Sequence, residues 1–566
     1  MPWCLRVAAW VVVFVVGAHG ASFGTNHAVA DDPLHVRIDR HIDAALDYDP
    51  APTASDAEFL RRVYLDLTGM IPPVDVAREF LADKTPSKRE RVIDRLLASP
   101  EYARRMQFVF DVILMERRAG NSVPANQWQE YLRKSFEDNK PYNQLAREIL
   151  AADGTENRPA VKFYLDRAGE TNTLTRDVGR LFLGMDLQCA QCHDHPIIEG
   201  YFQRDYYGIY AFLNRGFVFS DPKAKSQYFA EKAEGEVSYK SVFDPKVNEQ
   251  NFRPRLRGGA AVEEPKFPKG DEYFVKPAKN VRPVPRFSRR GQLAATATDG
   301  SNAMFNSNIV NRLWYLMMGR GLVHPPGLQH EDNPASHPEL LKELAAELVA
   351  MKFDVRRFLR EIAMTQAYQR SSEIPAGMSE DQAAPQRYAV APLRPLSPEQ
   401  LAWSLLEATG FCEPIRTAEA ARLDADPRMR ELYASSERGR YVRAQSIEKA
   451  VHSKLQANTA QFVSLFGGSP GEPEQDFQAT VHQSLFVTNG ATIRGWATAL
   501  GGRLAKIEDP RAAADALYMA ILTRAATEEE RLDVVEYLLR QSTNRAAGIA
   551  DIAWALAAST EFRFNH

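Results

Sequence analysis

Ser55-Asp56-Ala57-Glu58-Phe59-Leu60-Arg61-Arg62-Val63-Tyr64-Leu65-Asp66-Leu67-Thr68-Gly69-Met70-Ile71-Pro72-Pro73 holds a whole helix with its punctuation. Ser55 and Glu58 have the spacing of a capping box, in which the serine accepts from a first-turn amide and the glutamate reaches back. Phe59, Val63 and Leu67 recur every four residues and define one apolar face. Ile71-Pro72-Pro73 stops the run, because proline excludes the residue before it from helical geometry. The same signals recur along most of the chain and point to a mainly α fold.

Outward from this helix, Thr85-Pro86 starts another with proline at its first position, and Val92, Ile93, Leu96 and Leu97 form its apolar face. Ser99-Pro100 opens a third, running through Met106, Val109, Phe110, Ile113 and Leu114. Trp128, Tyr131, Leu132 and Phe136 mark a fourth, and residues 173–187 read as a helix leading into a cysteine motif. From 218 to 285 proline and glycine rise, helical periodicity fades, and short alternation appears in Glu236-Val237-Ser238-Tyr239-Lys240-Ser241-Val242-Phe243. That stretch reads as a small β module or extended connector. Helices return near Arg286. Residues 307–318 carry Ile309, Val310, Leu313, Trp314 and Met317, and Gly319 and Gly321 end them. Ser336-His337-Pro338-Glu339, Ser397-Pro398-Glu399-Gln400 and Thr527-Glu528-Glu529-Glu530 have the spacing of further capping boxes. Behind the first of these, Leu341, Leu344, Ala345 and Leu348 line one face. The expected architecture is a leader over 1–30, a helical domain over 31–217, a connector over 218–285 and a second helical domain over 286–566.

The motif itself is Leu187-Gln188-Cys189-Ala190-Gln191-Cys192-His193-Asp194-His195-Pro196, which contains C-x-x-C-H, the attachment sequence of a c-type haem. Two thiols about one turn apart can each add to a vinyl group, and the histidine that follows lies under the iron. Cysteine is scarce, with four in 566 residues, which argues against an accidental match. Three other readings stand beside haem. Cys189 and Cys192 can pair as a disulfide in an oxidising compartment. A thioredoxin-like redox pair needs a strand-to-helix setting, whereas these flanks read as helical. Cys189, Cys192, His193 and His195 have the ligand types of a zinc site, but adjacent side chains at 192 and 193 diverge on a helix. Cys412 reads as core packing.

The charge balance of 70 basic against 73 acidic residues lacks the excess of a nucleic-acid binder. At the N-terminus, Arg6, an apolar run over 7–18 and Ala28-Val29-Ala30 have the layout of a secretory signal peptide, with mature protein expected from Asp31. The apolar run is shorter than the roughly 20 residues of a membrane span. Cys4 leaves with this leader, and no membrane span is expected after cleavage. An exported chain, periplasmic or extracellular, matches the compartment in which haem is attached to C-x-x-C-H.

Several stretches together resemble the secreted planctomycete cytochrome-type proteins that join two domains of unknown function. In the first half they are residues 56–69 with Pro72, then Arg95-Leu96-Leu97-Ala98-Ser99-Pro100-Glu101-Tyr102, and residues 189–196 followed by Asp205-Tyr206-Tyr207. In the second half they are Asn311-Arg312-Leu313-Trp314, Gly319-Arg320-Gly321-Leu322-Val323, Ser336-His337-Pro338-Glu339-Leu340-Leu341 and the ending Glu561-Phe562-Arg563-Phe564-Asn565-His566. The resemblance implies a mostly helical, exported protein of cytochrome c character.

The leading expectation is an exported c-type haem protein in redox chemistry or electron transfer, with an extracytoplasmic redox partner. Cys189 and Cys192 would carry the haem, His193 would bind the iron, and Asp194 and His195 would orient the site. An enzyme of this kind would be an oxidoreductase. The alternative is a secreted binding or scaffold protein whose Cys/His stretch is a structural metal site or disulfide. H-E-x-x-H is absent from the sequence, which argues against a hydrolase of that kind. A six-coordinate haem needs a second axial ligand, usually Met or His. No Met falls between Met185 and Met304, and no His between His195 and His324. The downstream donors are therefore Met304, Met317, His324, His330 and His337, with His35, His41, Met70, Met106 and Met115 upstream. Such a ligand would place the site near an interface between the halves.

Overall fold

The computed structural model describes residues 32–120, 122–472, 480–541 and 543–566. The expected leader, its cleavage site, the mature start at Asp31 and Cys4 all lie outside the described residues. Helices dominate the rest, and the strands form small two-stranded antiparallel sheets. The fold is mainly α. Among the described residues no helix is long and apolar enough to cross a membrane.

The quoted stretch forms the helix Asp56–Thr68, and Ser55 accepts from the Glu58 amide at 3.2 Å. The box is only half made. The Glu58 carboxylate turns instead to Arg62 Nη2 and the Ser372 amide, each at 2.7 Å. A buried guanidinium needs a carboxylate more than an accessible amide does. Gly69, at φ +77°, ends the helix before the prolines are reached, in a conformation glycine adopts without steric cost.

Every residue from Phe59 to Thr68 is buried, including three charged ones. Each is hydrogen-bonded. Arg61 donates to the carbonyls of Ile521 (3.1 Å) and Phe562 (2.8 Å). Arg62 donates to the carbonyls of Tyr368, Arg370 and His566. Asp66 accepts from Tyr368 Oη (2.8 Å), from Arg394 at both oxygens (2.9 and 2.8 Å) and from Asn565 Nδ2 (2.8 Å). The short strand Phe564–Asn565 pairs with Arg394–Pro395 beside it. This helix thus grips the chain around residues 562–566.

Two hydrophobic cores result. One takes residues between 34 and 256 together with residues between 293 and 388 and Met519. The other is built from residues between 396 and 562 with Leu65, Met70 and Ile71. Trp128 and Trp314 are fully buried in the first, and Trp403 in the second. Helices on either side of the 218–285 segment share the first core: Tyr142 stacks on Phe305 at 5.5 Å, and Asn308 Nδ2 donates to the Leu181 carbonyl at 2.8 Å. Between the cores, Arg104 lies 2.8 Å from Glu448 and 4.5 Å from the Trp403 ring. His452 is held between Trp403 and Arg133.

Several local readings shift. Ser336 does not cap the helix Pro338–Ala350; proline takes its first turn, His337 stands at the cap, and no side chain accepts there. The boxes at Ser397/Gln400 and Thr527/Glu530 form in full. The helix before the motif is Thr171–Phe182 and stops well short of Leu187, because the chain turns through Gly184 at φ +71°. In the connector the strands Gly216–Asp221 and Ser226–Glu231 pair, as do Val237–Lys240 and Asn248–Phe252. Val237 and Tyr239 are buried while Ser238 and Lys240 are exposed, so the alternation seen in the sequence is that of a strand with one covered face.

Candidate functional site

The Glu170 carboxylate caps the helix Thr171–Phe182 by accepting from the Asn172 and Thr173 amides. Beyond Gly184, Met185 and Leu187 are buried and pin the chain to the first core. Cys189–Gln191 then forms one 3-10 turn, and Cys192 N donates back to the Cys189 carbonyl. The expected helical flanks are therefore replaced by a buried anchor, a tight turn and a loop. Ala190 is fully buried, whereas the thiols at 189 and 192 are exposed and free. The turn faces inward through its methyl group and outward through both sulfurs. Cys412, by contrast, is a buried free thiol, and burial pushes its pKa well above the ordinary range.

His193 and His195 are held in opposite senses. His193 Nδ1 lies 2.6 Å from the Asp194 carbonyl oxygen. A carbonyl only accepts, so Nδ1 carries a proton, and in the neutral ring the lone pair is then on Nε2. His195 Nδ1 accepts from the amides of Ile197 (3.2 Å) and Ile198 (2.9 Å), so its proton sits on Nε2. The His195 amide donates to the Tyr201 carbonyl at 2.8 Å and closes the loop. His195 acts as a loop brace, and His193 is the imidazole with an open nitrogen. Asp194 orients His193 through its backbone, while its carboxylate accepts from the Gln203 amide at 2.7 Å, at the start of the helix Gln203–Leu213.

That helix supports the motif from below. Tyr207 Oη donates to the Gln191 carbonyl at 3.2 Å, and Gln203 Nε2 donates to the Lys240 carbonyl at 3.1 Å. Tyr207 stacks flat on Tyr239 of the connector, with centroids 4.3 Å apart. The Val242 amide donates to the Cys192 carbonyl at 3.1 Å, and the Phe243 ring lies 4.7 Å from the His193 ring. Ile197, Val242 and Phe243 are nonetheless 82%, 63% and 76% exposed. These three residues were not singled out for the site by the sequence reading. The signal available was the end of the alternation, where two apolar residues stand side by side.

The second half of the chain reaches the same loop. Tyr201 Oη donates to the Gln329 carbonyl at 2.7 Å, and the Glu199 amide donates to Asp332. Tyr201 meets His195 on one side (6.2 Å) and His330 on the other (5.6 Å). Burial lowers the His330 pKa; Asp332 opposes the shift and His195 adds to it. Of the other downstream donors, Met317 is in the core, Met304 packs against it, His324 faces Tyr315 and His337 faces Tyr388. Upstream, His35 and His41 bond to Glu361 and Glu343, while Met70, Met106 and Met115 are buried.

The donor set fits a haem linked through two thioethers: two free exposed thiols, one turn apart, beside an imidazole whose distal nitrogen is open. Among the described residues no group of three or more Cys, His, Asp or Glu side chains is arranged to hold a metal ion. A Cys189–Cys192 disulfide is not formed.

Residues 37–216 match the family model described as PSCyt2, a protein of unknown function (DUF1549). Residues 289–538 match the model described as PSD1, a protein of unknown function (DUF1553). The two regions follow one another in that order and flank the strand-bearing connector. No curated protein and no solved structure matches the chain.

Proposed function

We propose that this chain is an exported c-type haem protein that takes part in electron transfer. Cys189 and Cys192 carry the two thioether links, and His193 Nε2 is the proximal ligand. The observation that supports this best is the His193 geometry: Nδ1–H is given to the Asp194 carbonyl, which fixes the ring and leaves Nε2 to bind. Bound there, haem supplies reversible one-electron exchange between ferrous and ferric iron. His195 braces the loop, Ala190 anchors the turn, and Tyr207 and Gln203 hold the backbone around the thiols. The apolar run over 7–18 and the Ala28-Val29-Ala30 site support export. The resemblance to secreted planctomycete cytochrome-type proteins supports the same reading, and the partner it implies is an extracytoplasmic redox protein.

The test is expression of the full chain with c-type maturation machinery, followed by a haem stain after denaturing electrophoresis. Wild type is expected to stain and to show a Soret band. Cys189→Ala with Cys192→Ala should not stain. His193→Ala should retain attached haem with an altered iron spectrum. A colourless wild-type protein, or haem that washes off on denaturation, overturns the assignment.

A further inference from the structure

Ile197 and Phe243 are among the most exposed large apolar side chains described, and Val242 lies beside Phe243. Leaving large apolar side chains in water is unfavourable. Exposed apolar groups gathered at one place mark a binding surface. All three are tied to the motif. The Val242 amide is bonded to the Cys192 carbonyl, the Phe243 ring sits tilted 4.7 Å from the His193 ring, and the Ile197 amide is bonded to His195 Nδ1.

The turn that presents Val242 and Phe243 is well braced. Ser241 Oγ accepts from the Phe243 and Asp244 amides at 3.3 and 3.2 Å. The Ser241 amide donates to the Val247 carbonyl, and the Val247 amide donates to the Asp244 carbonyl. At its base the hairpin is fixed by the flat Tyr207–Tyr239 stack. The apolar pair therefore projects beside two free thiols from a braced turn.

We propose that Ile197, Val242 and Phe243 form the seat of the porphyrin, and that the hairpin turn at 241–247 covers the His193 side of the iron. This rests on the haem reading above. Its occupant is the macrocycle tethered at Cys189 and Cys192, since the thiols fix where a large apolar ring must lie. The connector is then a working part of the cofactor site. Apolar cover disfavours the more charged ferric state and raises the reduction potential.

The experiment compares matured wild type with Phe243→Ser and with the triple variant Ile197→Ser, Val242→Ser, Phe243→Ser, all as full chains. Circular dichroism checks folding. The haem-bearing variants are expected to have a lower midpoint potential than wild type, with the triple variant lowest. A second readout needs no haem. An apolar fluorescent dye should bind the Cys189→Ala, Cys192→Ala chain, lose most of that binding when the three serines are added, and bind matured wild type weakly. Wild type without covalent haem overturns the function and this proposal together. Attached haem with unchanged potentials in the variants overturns this proposal alone. Undiminished dye binding to matured wild type, or self-association that the serines abolish, identifies the patch as a protein interface and also overturns it.

Discussion

Asp66 and His193 stand in two of the stretches that carry the family resemblance, yet their surroundings are opposite. The Asp66 carboxylate is 1% exposed and accepts four hydrogen bonds, from Tyr368, Arg394 twice and Asn565. Nothing about it is left for a ligand. Burial and the Asp66 charge together push the Tyr368 hydroxyl far above its ordinary pKa, so it remains a donor. His193 has one nitrogen committed and one open, two exposed cysteines in the same turn and the exposed Phe243 ring 4.7 Å away. One stretch closes the fold on itself and the other leaves valences unfilled. A sequence signature alone does not separate these roles; the partner count of each side chain does.

The first way to break the comparison is Asp66→Ala. It removes the common acceptor of Arg394, Tyr368 and Asn565 and leaves a guanidinium without its carboxylate. Breaking a buried ion pair from one side costs about 3–5 kcal/mol. Denaturant unfolding should show a loss of that size, or the chain should fail to accumulate. Asn565→Ala, which removes one of the four bonds, should cost about 1 kcal/mol. A near-neutral Asp66→Ala would mean that the clasp between the first signature and the C-terminal residues is incidental.

The second concerns a buried carboxyl whose match is poorer. Burial pushes Glu448 up from 4.5 to about 7, against the opposing pull of Arg104. Between those values the folded chain holds a proton that the unfolded chain has released. The stability tied to this proton is full below pH 4.5 and is lost as pH rises through about 7. His452 runs the other way: burial, aided by Arg133 and Arg104, lowers it from 6.5 to about 3. Its contribution is full above pH 6.5 and is lost as pH falls towards 3. Measured against Glu448→Gln, wild type should lose stability from pH 4.5 to 7, by an amount on the order of 3 kcal/mol. Measured against His452→Phe, it should lose stability from pH 6.5 downward. Flat differences in both would show that the charges between the two cores are already matched.

How much of this was legible in the sequence follows the range of the forces involved. The helices at 56–68 and 100–115 could be read from a serine, a proline and apolar spacing, because caps and periodicity are local. Gly69 and Gly184 were missed as stops, since proline drew attention downstream in one case and the motif did in the other. Ser336 was misread because proline at the first helical position moves the cap to His337. The Asp66 clasp was not legible at all. Its partners lie some 300 and 500 positions away, and an aspartate in a helix carries no local sign of burial. At the candidate site, spacing alone draws attention to Cys189, Cys192 and His193, and the structure places them in one short turn and loop. The assignment of the His193 proton was not, since it depends on where the Asp194 carbonyl points. Nor was the apolar rim, since Val242 and Phe243 reach the motif only through the hairpin.

The smallest expected effect sharpens the comparison within a single turn. Cys189, Ala190 and Cys192 lie within four residues, with Ala190 buried and both cysteines exposed. In chain expressed without haem, Cys189→Ala with Cys192→Ala removes two exposed thiols that form no disulfide. Surface changes of this kind stay within about 0.5 kcal/mol. Ala190→Leu forces extra carbons into filled space, and overpacking of that kind costs about 1–3 kcal/mol. Denaturant midpoints of the three chains, compared under reducing conditions, should therefore rank wild type and the double alanine variant together and Ala190→Leu below. The same measurement under oxidising conditions tests the disulfide reading. A wild-type midpoint that rises on oxidation while the double variant stays still would show the sulfurs bonded to each other and holding the turn. An unchanged midpoint leaves both thiols as groups the fold does not use, which is the state a covalent cofactor requires of them.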